Sequence, residues 1–261
     1  MHVIVTGGSS GIGLEVARLY AARGARLTLV ARGLSRLEAA RRELLAMGHV
    51  SDAAIRIAAV DVGSDAGLSV AMAAAEAEFG SCDVLIASAG VVEPGLFETL
   101  SGEVFAEQVA TNLLGVANAV RAVYPGMKAR GSGRVMIVSS GAGLIGLYGY
   151  TAYCASKSAL SGFAEALAME AAGSGVGISI CFPPDTYTPQ FERELAKRPR
   201  EAQALMGKAR PWTAKAVAAR IVRAVDRGTP RLYFGFSIAA LGRFGSLVKP
   251  VLYWWYRRKR S

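Results

Sequence analysis

The residues best placed to do chemistry lie between Ser139 and Lys157, in the run Ser-Ser-Gly-Ala-Gly-Leu-Ile-Gly-Leu-Tyr-Gly-Tyr-Thr-Ala-Tyr-Cys-Ala-Ser-Lys. Strand-forming residues 135–138 end in two serines, a glycine-rich loop follows, and a helical pattern opens near Thr151. Tyr153 and Lys157 stand four residues apart and share one helix face. A serine at a strand end facing that pair could handle a carbonyl oxygen and a proton. Reducing a ketone requires a hydride on carbon and a proton on oxygen; a nicotinamide would supply the hydride, and the protein the position and the acid. Free tyrosine titrates near about pH 10, so a nearby cation is needed to draw Tyr153 toward working pH, and Lys157 is one turn away. Ser140 would hydrogen-bond the oxygen as charge develops on it. A lone Tyr-x-x-x-Lys is more often a buried aromatic beside a surface lysine, so the reading depends on what the rest of the chain brings.

Short apolar runs at 2–6, 27–31, 55–60, 84–88, 135–138, 178–182 and 231–234 read as strands. Helical patterns alternate with them at 11–23, 35–47, 65–79, 103–130, 151–172 and 213–227, with Pro125 expected to bend the long one. Continuously apolar strands alternating with helices predict an α/β fold. It is a doubly wound, Rossmann-type parallel sheet covered on both faces, with its ligand crevice at the strand C-terminal ends. Residues 1–234 read as one catalytic, dinucleotide-binding domain and residues 235–261 as a C-terminal apolar and basic extension. No linker or internal repeat separates them.

The turn after the first strand, Thr6-Gly7-Gly8-Ser9-Ser10-Gly11-Ile12-Gly13, suits a pyrophosphate. Its glycines allow close backbone approach, and the following helix offers free N–H groups and its positive dipole end. Gly7, Ser9, Ser10, Gly11, Ile12 and Gly13 are therefore cofactor candidates. The second strand ends Val30-Ala31-Arg32 and lacks the acid that would take a ribose 2′-hydroxyl. Arg32 offers a cationic fork for a 2′-phosphate instead, so NADP(H) is expected. Asp61 and Val62 follow the third strand and could lie near the adenine. Ser88, Ala89 and Gly90 follow the fourth and bring bare backbone to the cofactor. Asn112 stands polar among apolar neighbours, which alone would suggest packing or a helix irregularity.

Together these marks resemble the short-chain dehydrogenase/reductase family over nearly the whole chain. They are TGGSSGIG at 6–13, Asp61, Ser88-Ala89-Gly90, Asn112, Ser140 and Tyr153-Cys-Ala-Ser-Lys157. Ser88 departs from the family's usual Asn at that position. The resemblance implies a catalytic set of Asn112, Ser140, Tyr153 and Lys157, with Asn112 holding a water that relays protons from Lys157. It also implies that Tyr153 and Lys157 touch the cofactor, and that the chain forms a homo-oligomer through two long helices.

After the sixth strand the chain reads Phe182-Pro183-Pro184-Asp185-Thr186-Tyr187-Thr188-Pro189-Gln190-Phe191, where the family usually has Pro-Gly. Three prolines stiffen the segment. Pro183, Asp185, Thr186 and Thr188 could meet the nicotinamide amide, the pyrophosphate or a substrate amine; a rigid loop with local turns is the plainer alternative. The run resembles that of the 3-ketodihydrosphingosine (3-dehydrosphinganine) reductases. That resemblance implies NADPH-dependent reduction of a long-chain amino-ketone lipid in sphingolipid synthesis; the alternatives are another lipid or hydrophobic ketone (3-oxoacyl or steroid-like), or a silent NADP(H)-binding membrane scaffold.

Of 261 residues, 52% are hydrophobic and 19% charged, enough for a sizeable core. Net charge is +10, and residues 191–261 hold 17 of the 30 basic side chains but only 4 of the 20 acidic ones. Three scattered cysteines and two histidines suggest neither a disulfide framework nor a metal site, and a reducing, cytoplasmic setting is the default. No signal peptide is read at the N-terminus. The tail is apolar and aromatic, and ends Arg257-Arg258-Lys259-Arg260. Arg243, Lys249 and Pro250 argue against a spanning helix. A broken interfacial segment on the cytoplasmic face of a membrane is expected, with packing on the same subunit or on a dimer partner as the alternative. Charge mixed with a long aliphatic run provides no groove-reading element, so no nucleic-acid partner is expected.

Overall fold

Residues 1–206 and 210–258 are described by the computed structural model. The first half alternates strictly: β1 (His2–Thr6), α1 (Gly11–Ala21), β2 (Arg26–Ala31), α2 (Leu34–Ala46), β3 (Ile55–Ala59), α3 (Asp65–Phe79) and β4 (Val84–Ala87). Next come α4 (Gly102–Val109), α5 (Gly115–Ala129), β5 (Gly133–Val138), α6 (Thr151–Glu170) and β6 (Val176–Phe182). A compact excursion follows: β7 (Thr186–Tyr187), α7 (Pro189–Leu195), α8 (Arg200–Met206) and β8 (Trp212–Thr213). The chain ends with α9 (Ala214–Asp226), β9 (Arg231–Tyr233) and α10 (Gly235–Arg258).

The main sheet has the order β3-β2-β1-β4-β5-β6-β9, and each neighbouring pair runs parallel. β1 and β4 are buried throughout, as strands covered on both faces must be. On one face, Val16, Tyr20, Leu37 and Ile221 from α1, α2 and α9 pack over Val5 and Leu29. On the other, Met72, Val123, Leu160 and Leu167 from α3, α5 and α6 cover Ile4, Leu85 and Ile137. The winding direction reverses between β1 and β4, so the connections leaving these strands part and open a crevice at their C-terminal ends.

A third apolar cluster lies beyond the strand ends. Ala142, Ile145, Leu147, Tyr150 and Cys154 meet Ala202 of α8, with Leu241, Leu252 and Tyr253 of α10 packed against them. The Tyr253 hydroxyl accepts a hydrogen bond from the Gly146 N–H at 2.9 Å. Residues 235–258 therefore pack on their own chain rather than trailing from it.

Three expectations change. The predicted helix 103–130 is interrupted by a π-helical turn, Ala110–Leu114, and not at Pro125, which stays inside α5. The wider turn carries Asn112, whose amide is held by groups outside the helix. The tail breaks at Phe244 (φ −125°, ψ 25°), between Gly242 and Gly245, and not at Pro250. A side chain at 242 would run into the Tyr233 ring, so this glycine lets α10 lie against β9. The stiff loop read over 182–191 holds β7 and the start of α7, and residues 192–212, given no element from sequence, hold the rest of α7, α8 and the start of β8, which pairs with β7. Lys259 and Arg260, half of the tetrabasic end, lie outside the described residues.

Candidate active site

The crevice floor is built by close backbone approach. Gly7 has φ +70°, and a Cβ there would lie 2.9 Å from the Ala89 backbone. A Cβ on Gly13 would collide with the Gly7 carbonyl. Thr6 Oγ1 accepts hydrogen bonds from the N–H groups of Ser88 and Ala89, both at 3.2 Å, and so laces the β1 and β4 turns together. Ser10 makes no side-chain capping bond, and the first N–H groups of α1 have no acceptor among the described residues. Ser9, Ser10, Gly11, Ile12 and Gly13 line the cavity there. Unpaired amides on a turn with no side-chain bulk fit an anionic pyrophosphate.

At one end of this cavity Arg32, Asp61 and Val62 come together, with Arg36 of α2 beside them. Arg32 donates to Glu107 at 3.0 Å and lies 3.9 Å from Asp61, whose Oδ1 accepts from the Gly63 N–H. Ala89 and Gly90 form the wall between this end and the reacting end.

The two serines after β5 diverge. Ser139 is buried, and its hydroxyl donates to the Lys157 carbonyl at 2.9 Å. Ser140 faces the cavity beside Tyr153 and accepts from the Ala142 N–H at 3.2 Å. Lys157 is only 4% exposed, and its ammonium donates to the Val138 carbonyl at 3.0 Å. Burial lowers its pKa to about 8, against a small opposing effect of Cys181. Burial pushes the Tyr153 phenol well above its usual range; the Ser140 hydrogen bond opposes this, and Glu194, Cys154 and Asp185 add to it. The cavity thus brings a serine hydroxyl, a phenol and a lysine ammonium to one place.

Asn112 stands behind this wall rather than in it. Its Oδ1 accepts from the Val91 N–H at 2.8 Å, and its Nδ2 donates to the Val91 carbonyl at 2.9 Å and to Ser156 Oγ at 3.0 Å. Fully buried and so engaged, the side chain holds the loop after β4 against α6. Its side chain positions the Gly90–Val91 backbone, and Gly90 lies against both Asn112 Oδ1 and Lys157 Nζ.

The roof comes from the loop after β6. Pro183, Asp185, Thr186 and Thr188 all line the cavity. Thr188 caps α7 by accepting from the Phe191 N–H at 3.1 Å, and a Cβ on Gly11 would meet its methyl at 2.9 Å, so the roof rests on the glycine-rich turn. Thr186 donates to the Pro184 carbonyl at 2.8 Å. Asp185 is not free toward a cofactor: both its oxygens take Arg198, at 2.6 and 3.0 Å. Arg198 also reaches Glu194 Oε1 at 2.7 Å, and that same oxygen accepts the Tyr150 hydroxyl at 2.7 Å. Tyr150 in turn lies edge-on to Tyr153, with ring centroids 6.4 Å apart.

Tyr150, Glu194 and Arg198 were not anticipated, nor were Ile238, Leu241, Val248 and Leu252 of α10, which close the far side of the cavity. One available signal was Thr188-Pro189, a capping residue followed by proline at the first helical position. The whole cavity measures about 1450 Å³. That is room for a dinucleotide and a second molecule.

A doubly wound sheet with an anion-ready turn and this cluster of donors defines an oxidoreductase acting on a ketone or hydroxyl group with a nicotinamide cofactor. Residues 1–199 match the family model described as short chain dehydrogenase, and the chain belongs to that family. It is 39% identical to a 3-ketodihydrosphingosine reductase of Bos taurus, over 92% of this chain and 72% of that protein. It is 37% identical to a 3-dehydrosphinganine reductase of Danio rerio, over 90% of this chain and 71% of that protein. Among solved structures, levodione reductase superposes with a TM-score of 0.82 at 27% identity, covering 92% of this chain and 98% of that one.

Burial of Lys157 has a measurable consequence. Below about pH 8 the folded protein buries a charged ammonium that the unfolded chain leaves in water, and stability is reduced. Between about pH 8 and the free lysine value of 10.5 the folded state has released a proton that the unfolded state still holds, so stability rises with pH. In the cofactor-free protein, Lys157→Met should be more stable than wild type at pH 7.5. That advantage should shrink by about 3 kcal/mol by pH 10.5 in urea titrations. A constant difference across this window would contradict the buried-ammonium assignment.

Proposed function

We propose that the chain reduces the C3 ketone of 3-ketodihydrosphingosine with NADPH, giving dihydrosphingosine. The observation that carries the substrate is likeness to proteins of that name over about nine-tenths of the chain. The cavity supports it: one end is polar and catalytic, and the other is walled by Ile238, Leu241, Val248 and Leu252, suited to an alkyl chain. When bound, the nicotinamide supplies the hydride. Ser140 and Tyr153 then hold the ketone oxygen between two hydroxyls, and Tyr153 donates the proton. Lys157 uses one of its three donors on Val138, which leaves two for Tyr153 and the cofactor's sugar hydroxyls. Its charge stabilises the phenolate that proton donation leaves, against the burial that raises the phenol's pKa. Arg32, with Arg36 beside it, takes the 2′-phosphate, and Ser9–Gly13 take the pyrophosphate. Asp61 and Val62 border the adenine.

Wild type should oxidise NADPH in the presence of 3-ketodihydrosphingosine and yield dihydrosphingosine by mass spectrometry. Arg32→Ala should raise the KM for NADPH about tenfold or more and leave that for NADH nearly unchanged. Turnover confined to other ketones in a substrate panel would remove the lipid assignment. An equal response of both dinucleotides to Arg32→Ala would remove the 2′-phosphate assignment.

The same reading places the protein on the cytoplasmic face of a membrane, where a long-chain substrate partitions. The outward face of α10 exposes Phe244, Leu247, Val251 and Trp254 at helical spacing, between 55% and 73% exposed. Arg243, Lys249, Arg257 and Arg258 lie along the same helix and suit anionic headgroups. Among the described residues no helix is long and apolar enough to cross a membrane. Full-length protein should float with vesicles containing anionic lipid, and Leu247→Glu/Trp254→Glu should stay in the soluble fraction. Equal flotation would mean that this stripe is not the contact.

A further inference from the structure

The carboxylates lining the cavity are not equally matched by cations. Asp61 and Glu107 share Arg32 at the dinucleotide's adenine end, and Glu93 pairs with Lys197 at the rim. Among the described residues Asp185 and Glu194 share Arg198 alone, whose side chain is 4% exposed. Arg193 and Arg210 also border the cavity but are exposed to solvent. Lys157 donates to the Val138 carbonyl and serves the ketone and cofactor side of Tyr153. The Asp185–Glu194–Arg198 cluster therefore carries one net negative charge, and its two carboxylates oppose the ionisation of the acid Tyr153 that catalysis requires. Two hydrogen bonds fix Glu194 through Oε1, from Tyr150 and Arg198, while Oε2 takes no hydrogen bond among the described residues. A carboxylate so held, 13% exposed and edging a largely apolar cavity, is matched to a cation delivered with the substrate.

We infer that Glu194, oriented by Tyr150 and Arg198 and backed by Asp185, is the counter-charge for a protonated amine on the carbon next to the ketone. This rests on the amino-ketone reading and deepens it. When the ketone oxygen lies on Ser140 and Tyr153, an amine on the adjacent carbon is within a few bonds of Tyr153. The Tyr150 ring spans the gap from Tyr153 to the Glu194 carboxylate. The bound ammonium offsets the negative field on the phenol, so the group that is recognised also eases proton donation. A ketone without the amine leaves Glu194 uncompensated and is disfavoured.

The test compares 3-ketodihydrosphingosine with its des-amino analogue, 1-hydroxyoctadecan-3-one, in wild type and Glu194→Gln, with Asp185→Asn as a second variant. Glutamine keeps an oxygen for Tyr150 and Arg198 and removes the charge. For the amino ketone, kcat/KM should fall about tenfold or more in Glu194→Gln, with a smaller fall in Asp185→Asn. For the des-amino ketone it should stay within about threefold of wild type or rise, and NADPH affinity should be unchanged. Parallel losses on both substrates, or no loss on either, would overturn the subsite and leave the amino-ketone activity standing. Failure of wild type to turn over the amino ketone while it reduces other ketones would instead remove the underlying reading, and the subsite with it.

Discussion

A lysine ammonium enclosed in protein is the constraint around which the rest of this molecule is arranged. Lys157 has one hydrogen bond to a strand-end carbonyl and little contact with water. Burying a cation this way is tolerable only if its remaining donors find acceptors, and the crevice is where they point. The fold supplies that crevice through a single topological fact. Winding reverses between β1 and β4, so two turns separate, and the groups beyond them can approach a bound dinucleotide from both sides.

Around the ammonium, neighbouring side chains are committed to backbone so that the reacting ones stay available. Ser139 is spent on the Lys157 carbonyl, while Ser140 faces the cavity. Asn112 is spent on Val91 and Ser156, and the π-turn that carries it replaces regular helix at that point. Thr6 is spent on the turn after β4. Each of these polar groups is buried and satisfied, which fixes the loops to which the catalytic hydroxyls belong.

Much of this was legible in the chain. Alternating apolar runs gave the strands of the main sheet to within two residues at either end, because strands buried on both faces cannot be disguised by polar substitution. The serine, tyrosine and lysine were legible because helix periodicity puts residues 153 and 157 on one face. The roof was not. Its helices are seven residues long, too short for periodicity to register, and they are held by ion pairs between residues distant from the catalytic run. Asp185 looked available in sequence, and only the fold brings Arg198 to it. Nor could sequence show that α10 serves two environments. Leu241 and Leu252 face the cavity while Leu247 and Val251 face outward, and a chain apolar on both sides carries no sign of which side is which.

The account stands on hydride transfer to a ketone carbon held between Ser140 and Tyr153. Its most direct measurement uses NADPH deuterated at the transferring position of the nicotinamide, in a single turnover with 3-ketodihydrosphingosine. One deuterium per molecule on carbon 3 of dihydrosphingosine is the predicted result. Unlabelled product, or label at any other carbon, would contradict it.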